Sequence, residues 1–307
     1  MEIDTSSWQI DSSPGTLSYQ VAAGKRVVLF RSSAHRKPMR LKSQGRNYAS
    51  FDFGELQVIA LRDGYVDMPP TRLRTATGAL LSASPIGLRL VDGQLRLSVN
   101  AFLIIDKDIS VLVDTGASNT WHDTMGSLLD GLQEAGVARN SVSHVALTHT
   151  HEDHVNGLVA PDGSEAFPML KQVFVAKEET SVFTGRLAPL RSRVCVVEDG
   201  ARITNSISAV RAVGHSLGHT AYEATSSAGR LLAWGDLIHV PSVQFFHPDI
   251  AWEYDDDQAK AVASRKSLLQ RQTQPNLYVA GAHLDFPGIG RVTERDGAFA
   301  YHAVAES

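Results

Sequence analysis

The 307-residue sequence predicts one large α/β domain, and three observations carry that reading. The composition, 43% hydrophobic and 20% charged, is that of a folded protein able to bury a sizeable core. From about residue 55, short runs rich in β-branched residues alternate with helical segments. Several of those runs end in Asp or His, side chains that can hold a metal.

Residues 1–50 are rich in Ser, Gly, Lys and Arg with weak periodicity, so they read as an N-terminal arm of uncertain order, followed by the folded domain at 51–307. Their apolar runs, such as "RVVLF", are too brief for a signal-peptide core or a membrane span, and a cytoplasmic chain with no membrane partner is expected. Strands are expected at "LQVIAL", "NAFLIID", "SVLVD", "HVALT", "QVFVA", "RVCVV", "RLLAWGD" and "NLYVAG". Helices are expected over 123–136, 177–185 and 257–271. The last opens on "DDD", where carboxylates can cap free amides and complement the helix dipole.

The formal charge of -4 and the lack of a Lys/Arg run argue against a nucleic-acid partner. A single cysteine, Cys195, excludes an internal disulfide framework and any multi-cysteine zinc site.

The most informative stretch is "ALTHTHEDHVNG" at 146–157. His149 and His151 are two apart, so on an extended segment both point to one side and can share an ion. Asp153 and His154 are adjacent and need a turn, which Asn156-Gly157 favours; the simplest resolution is two ions. Neutral imidazoles with carboxylates form the donor set that zinc and similar divalent metals prefer. "SVLVD" ends at Asp114, "HVALT" runs into His149, "RLLAWGD" ends at Asp236 and "NLYVAGAH" ends at His283. Strands lying side by side would deliver these four side chains to one rim.

His-x-His-x-Asp-His at 149–154, with "VDTG" at 113–116, "GHSLGHT" at 214–220, "WGD" at 234–236 and "AHLDFPGIG" at 282–290, resembles the metallo-β-lactamase-fold hydrolase superfamily over roughly residues 55–295. "LSVNAFLI", "WGDLIHVPSVQF" and "AHLDFPGIGRV" look most similar to its methyl parathion hydrolase-like and lactonase branch. The resemblance implies a four-layer αββα sandwich, two mixed β-sheets flanked by helices. It implies two divalent cations, with Zn2+ best suited and Mn2+, Fe2+ or Co2+ compatible. His149, His151 and His219 would hold the first, Asp153, His154 and His283 the second, and Asp236 would bridge them. His215 is then a hydrogen-bonded neighbour, and Asp114 orients a ligand histidine through its other ring nitrogen.

The implied reaction is attack of a metal-bridging hydroxide on an ester, lactone or phosphotriester, with Asp153 or Asp236 shuttling the proton. Lactone or ester cleavage is expected as the natural role and organophosphate hydrolysis as a side activity. His239 stands three residues beyond Asp236, where lactonases of this kind often carry a tyrosine that bonds the substrate carbonyl, so it is expected to act at the rim. Phe245 and Phe286 are expected to line a pocket for a small substrate with an apolar portion. A homodimer is the assembly that the resemblance implies. His35, His122, His144, His247 and His302 lie outside the motifs and read as surface or structural residues.

Competing readings are a β-lactam hydrolase on the same site, a persulfide dioxygenase using one iron, and a metal-bound scaffold without catalysis. A fourth is a serine hydrolase, because Gly214 to Gly218 fits Gly-x-Ser-x-Gly around Ser216, with Asp236 and His283 following in triad order. That motif needs a strand, a tight turn and a helix, whereas the sequel "HTAYEATSS" reads as a strand.

Overall fold

The computed structural model describes residues 10–11, 16–21, 25–30 and 37–304. Two units separate at Lys37. In the first, strands Ile10–Asp11, Thr16–Val21 and Lys25–Phe30 form an antiparallel three-stranded sheet. The expected boundary at residue 50 therefore moves. Residues 40–50 belong to the main body, because Arg40–Gln44 and Tyr48–Phe53 pair as edge strands of its larger sheet. Met39, Phe51 and Phe53 anchor them in its core.

That sheet has eight strands, ordered Val194–Val197, Gln172–Ala176, His144–Ala146, Ile109–Val113, Leu95–Asp106, Leu56–Met68, Tyr48–Phe53 and Arg40–Gln44. The first four run parallel and the rest antiparallel. The second sheet has six strands, ordered Ile207–Arg211, Thr220–Ser226, Gly229–Ala233, Leu277–Ala280, Ile289–Arg295 and Ala298–Ala303. Only its central pair, Gly229–Ala233 with Leu277–Ala280, is parallel.

Strand periodicity explains how the layers stack. Val58, Ala60, Phe102, Ile104, Val111 and Val113 point inward, where they meet Tyr222, Leu231, Ala233, Tyr278 and Ala280 of the second sheet. The intervening residues Ile59, Leu61, Leu103 and Leu112 turn outward onto Leu128 and Leu132 of helix Leu128–Glu134. On the far side, Leu232 and Val279 turn onto Leu268 and Leu269 of helix Gln258–Arg271. Strands buried on both faces read as near-continuous apolar runs, which is why they are so visible in the sequence. The result is the four-layer αββα sandwich, with two mixed sheets inside and helices outside.

All eight expected strands form. The helix expected over 123–136 shortens to Leu128–Glu134, because left-handed backbone at Ser118 and Gly126 keeps 117–127 in a loop. Residues 177–185 form 3-10 turns instead of an α-helix. Asp257 does cap Gln258–Arg271, accepting the Lys260 amide at 3.0 Å.

Candidate metal centre

The centre is built at the strand ends. Ile109–Val113 delivers Asp114, His144–Ala146 leads into Thr148 and His149, Gly229–Ala233 leads to Asp236, and Leu277–Ala280 leads to His283. Ring contacts put His149 among His151, His154 and His215, with centroids 4.5, 4.1 and 4.7 Å away. One donor group comprises His149, His151, His215 and Asp236, and another Asp153, His154 and His283. Asp236 touches both: its Oδ2 lies 3.1 Å from His215 Nε2 and 3.1 Å from His283 Nε2, and its Oδ1 lies 3.1 Å from His154 Nε2.

Four of the imidazoles that face the centre, His154, His283, His215 and His149, are held through their other nitrogen. His154 Nδ1 meets Asp114 Oδ2 at 2.9 Å, His283 Nδ1 meets the Ser98 carbonyl at 2.8 Å, and His215 Nδ1 meets Asp255 Oδ1 at 3.0 Å. His149 Nδ1 lies 3.1 Å from Thr148 Oγ, which itself donates to Asp114. Asn100 donates to the Ala282 and Leu284 carbonyls and so holds the turn that carries His283.

The assignment within "GHSLGH" is reversed by this geometry. His219 has both nitrogens committed: Nδ1 donates to the Ala212 carbonyl at 2.8 Å and Nε2 accepts the Asp236 amide at 3.1 Å. His219 therefore supports the Asp236 turn and has no nitrogen left for a metal. His215, expected as a neighbour, turns its Nε2 to the centre. The physical difference is distance from the strand: Thr220 opens Thr220–Ser226, so His219 is tied to the backbone layer while His215 sits out in the loop. The Asp236 turn needs Gly235, whose φ is +55° and whose Cβ would lie 2.8 Å from His219 Nε2.

The donor set fits divalent cations. His149 Nε2, His154 Nε2 and Asp236 Oδ1 are buried and make no hydrogen bond among the described residues, although the last two lie 3.1 Å apart. Their separation is short but the donor and acceptor directions do not meet. His215 Nε2 and His151 Nδ1 face each other at 3.0 Å, an arrangement of ring lone pairs that a proton or a cation has to bridge.

Burial pushes imidazoles toward the neutral form. It holds His149 well below its ordinary pKa, takes His219 down to about 4, and takes His239 to about 3 against the pull of Asp236. At His154, burial is outweighed by Asp236, Asp153 and Asp114, and the ring lies well above its ordinary value. At His215 it is outweighed by Asp236 and Asp255, which raise the ring to about 9. Burial works to raise Asp236 as well, but His154, His283, His215 and His149 together hold it well below the carboxylate range. Asp236 thus stays ionised between the two donor groups.

A cavity of about 450 Å³ opens over these side chains. Its walls are Val66, Met68, Leu97, Trp121, His122, Trp252 and Tyr254, and its floor includes His151, Asp153, His215, Asp236, His239 and His283. His239 stacks between Trp252, 5.0 Å away, and His283, 5.2 Å away, with Nε2 3.2 Å from Asp236 Oδ2. Neither expected pocket phenylalanine lines this cavity. Phe245 stacks on Tyr301 at 5.5 Å, beneath the second sheet, and Phe286 packs at the inter-sheet core under the Arg62 guanidinium. His122, read as surface or structural, lies on the wall.

The sequence reading missed several supports. Asp255, which the sequence places only in a helix start, aims His215 and also accepts the Trp252 amide. Gln244 accepts the His239 and Val240 amides. Buried Arg265 donates to the Leu237, Pro248 and Ile250 carbonyls. Glu179 accepts from Thr150, Ser216 and the Gly218 amide, joining the two histidine loops. Ser216 is therefore held by Glu179, and a strand, not a helix, follows it, so the nucleophile-elbow geometry is absent.

A two-sheet αββα sandwich with a buried His/Asp cluster at one rim defines a metal-binding α/β class. The family model of the metallo-beta-lactamase superfamily matches residues 95–160. Metallo-beta-lactamase domain-containing protein 1 of Xenopus laevis is 41% identical over 68 residues, covering 22% of this chain and 28% of that one. The match thus spans just over a quarter of that relative. Among solved structures, the hydrolase AbOPH of the beta lactamase superfamily is 27% identical with a TM-score of 0.75, covering 85% of this chain and 98% of the other. The dizinc quorum-quenching lactonase AidC, in complex with a product, is 23% identical with a TM-score of 0.75, covering 84% and 97%. A probable metal-dependent hydrolase from Staphylococcus aureus is 18% identical with a TM-score of 0.63, covering 82% and 98%.

Proposed function

We propose that this chain is a metal-dependent hydrolase of esters and lactones that carry an apolar group, with phosphotriester cleavage as a side activity. The observation that carries the reading is Asp236 standing between two donor groups, His149, His151 and His215 on one side and Asp153, His154 and His283 on the other, all of them buried except His151. Together these would hold a pair of divalent cations, and imidazole with carboxylate suits Zn2+. When bound, such cations supply Lewis acidity and lower the pKa of water toward neutrality. The likeness to AbOPH, a hydrolase, and to AidC, a lactonase, supports the class of reaction.

The chain's own residues do the rest. Asp153 lines the cavity beside His154 and His283, which keep its carboxyl below the usual range against the pull of burial, so its oxygen is free to take a proton from water. His239, neutral and clamped by Trp252 and His283, orients Asp236 through Nε2. Trp121, Trp252, Met68 and Leu97 exclude water and receive the apolar part of the substrate.

The test is a panel of an acyl lactone, an aryl ester, a phosphotriester and a β-lactam, run on protein of measured metal content before and after chelation. Lactone or ester turnover that chelation abolishes, Zn2+ restores and a serine-reactive fluorophosphonate leaves intact is the expected result. Turnover that survives complete metal removal would overturn the reading, as would one iron per chain with thiol-dependent oxygen uptake.

A further inference from the structure

Asp63 is fully buried and belongs to neither donor group, yet it is tied to both ends of the segment that carries Trp121 and His122. It is the extra residue of a β-bulge in Leu56–Met68, where pairing with Leu95–Asp106 jumps from Arg62 to Gly64. A bulge re-aims one side chain out of the pleat. Here the carboxylate turns toward the loop that follows Asp114: Oδ2 accepts the Ala117 amide at 2.9 Å, and Oδ1 accepts the Leu128 amide at 3.2 Å. The Asp63 carbonyl accepts the Ser127 amide at 2.9 Å. Three acceptors of one residue thus close a loop spanning 117–128.

The contact is close on every side. Gly116 has φ +74°, and a Cβ there would lie 2.5 Å from the Asp63 carboxyl carbon, so only glycine lets the carboxylate reach the loop. Tyr65, two residues on, exchanges hydrogen bonds with Thr124. Between these anchors Trp121 and His122 form one wall of the cavity above the donor cluster. Among the described residues, Trp121 and His122 make no hydrogen bond to that cluster, so their placement depends on the backbone that carries them.

We propose that Asp63 is a positioning residue for substrate size: it holds the Trp121–His122 wall at the distance that suits a large apolar group. This rests on the hydrolase reading above. An isosteric amide keeps one acceptor but turns an NH2 group against the other backbone amide, which releases one end of the loop.

The test compares wild type and Asp63→Asn, both metal-loaded, on p-nitrophenyl acetate and p-nitrophenyl decanoate, alongside amide hydrogen exchange across 117–128. The expected result is KM for the decanoate raised about tenfold, with kcat and the acetate KM changed less than about threefold, and exchange in 117–128 at least about tenfold faster. A Trp121→Ala variant is expected to raise the decanoate KM similarly while leaving exchange slow, which keeps the proposal testable if Asp63→Asn folds poorly. An equal fall in kcat on both esters with loss of metal would overturn the proposal, because Asp63 would then act on the donor cluster. So would unchanged exchange in Asp63→Asn, or an unchanged decanoate KM in Trp121→Ala. Should wild type cleave neither ester, the ester half of the hydrolase reading fails, and the exchange measurement alone still decides whether Asp63 holds the loop.

Discussion

The floor and the wall of the cavity are held by opposite means. In the floor, imidazoles are fixed one by one through side-chain and carbonyl partners: His154 by Asp114, His215 by Asp255 and His283 by Ser98. In the wall, Trp121 and His122 are carried by a loop whose backbone amides are pinned, while Val66, Met68 and Leu97 contribute only apolar surface. A buried polar network fails as a unit when one member is lost, because partners are left unsatisfied at low dielectric. Apolar walls lose area in proportion to what is removed. The floor should therefore tolerate almost no change, whereas the wall can be retuned.

The largest expected effect is at the residue shared by both donor groups. Asp236→Ala should lower turnover by at least about a thousandfold and strip metal from dialysed protein, because several imidazoles lose their common carboxylate. Full occupancy measured by elemental analysis would contradict this. A sharper cut compares the two histidines of one loop. His215→Ala should weaken metal binding by about a hundredfold or more, while His219→Ala should leave affinity within about tenfold and instead cost about 2–4 kcal/mol of stability by orphaning the Asp236 amide and the Ala212 carbonyl. Competitive metal titration and urea melts separate the two outcomes. Asp255→Asn should cost about 10- to 100-fold in metal affinity, the usual effect of losing a histidine's orienting carboxylate.

Effects on the wall side are smaller. Burial pushes the Asp63 carboxyl from 3.8 up to about 6, against the backbone amides that it accepts. The unfolded chain then holds the stronger acid, so metal-free protein should lose stability as pH rises between about 4 and 6 and level off above. The shift corresponds to about 3 kcal/mol at most. Asp63→Asn should lack this slope, and urea melts of both proteins at about pH 4.5 and about pH 7 would show it; a stability gap independent of pH would contradict it. Smallest of all, Phe286→Leu should leave KM within about twofold, since its ring lies under Arg62 and not in the cavity.

The strands and most of the floor were legible in the sequence for a local reason. His149, His151, Asp153 and His154 lie within six positions, and Asp114, Asp236 and His283 each follow an apolar run, so spacing alone brought them into view. Choosing between His215 and His219 required knowing which nitrogen the backbone consumes, and that depends on the Ala212 carbonyl and the Asp236 amide, not on spacing. Asp255 was hidden because "DDD" also reads as a helix cap, a role that Asp257 does fill. The pocket was least legible. Val66, Leu97, Trp121 and Trp252 come from four distant segments, and no periodicity marks residues that meet only across the fold. Phe245 and Phe286 were nearer the motifs in sequence, yet their side chains turn to other layers.

The central claim is that His215, and not His219, completes a donor set shared through Asp236. Metal stoichiometry of dialysed wild type, His215→Ala and His219→Ala protein tests it most directly. His219→Ala is expected to retain the wild-type metal complement and His215→Ala to fall short of it. Full retention in His215→Ala with loss in His219→Ala would contradict it.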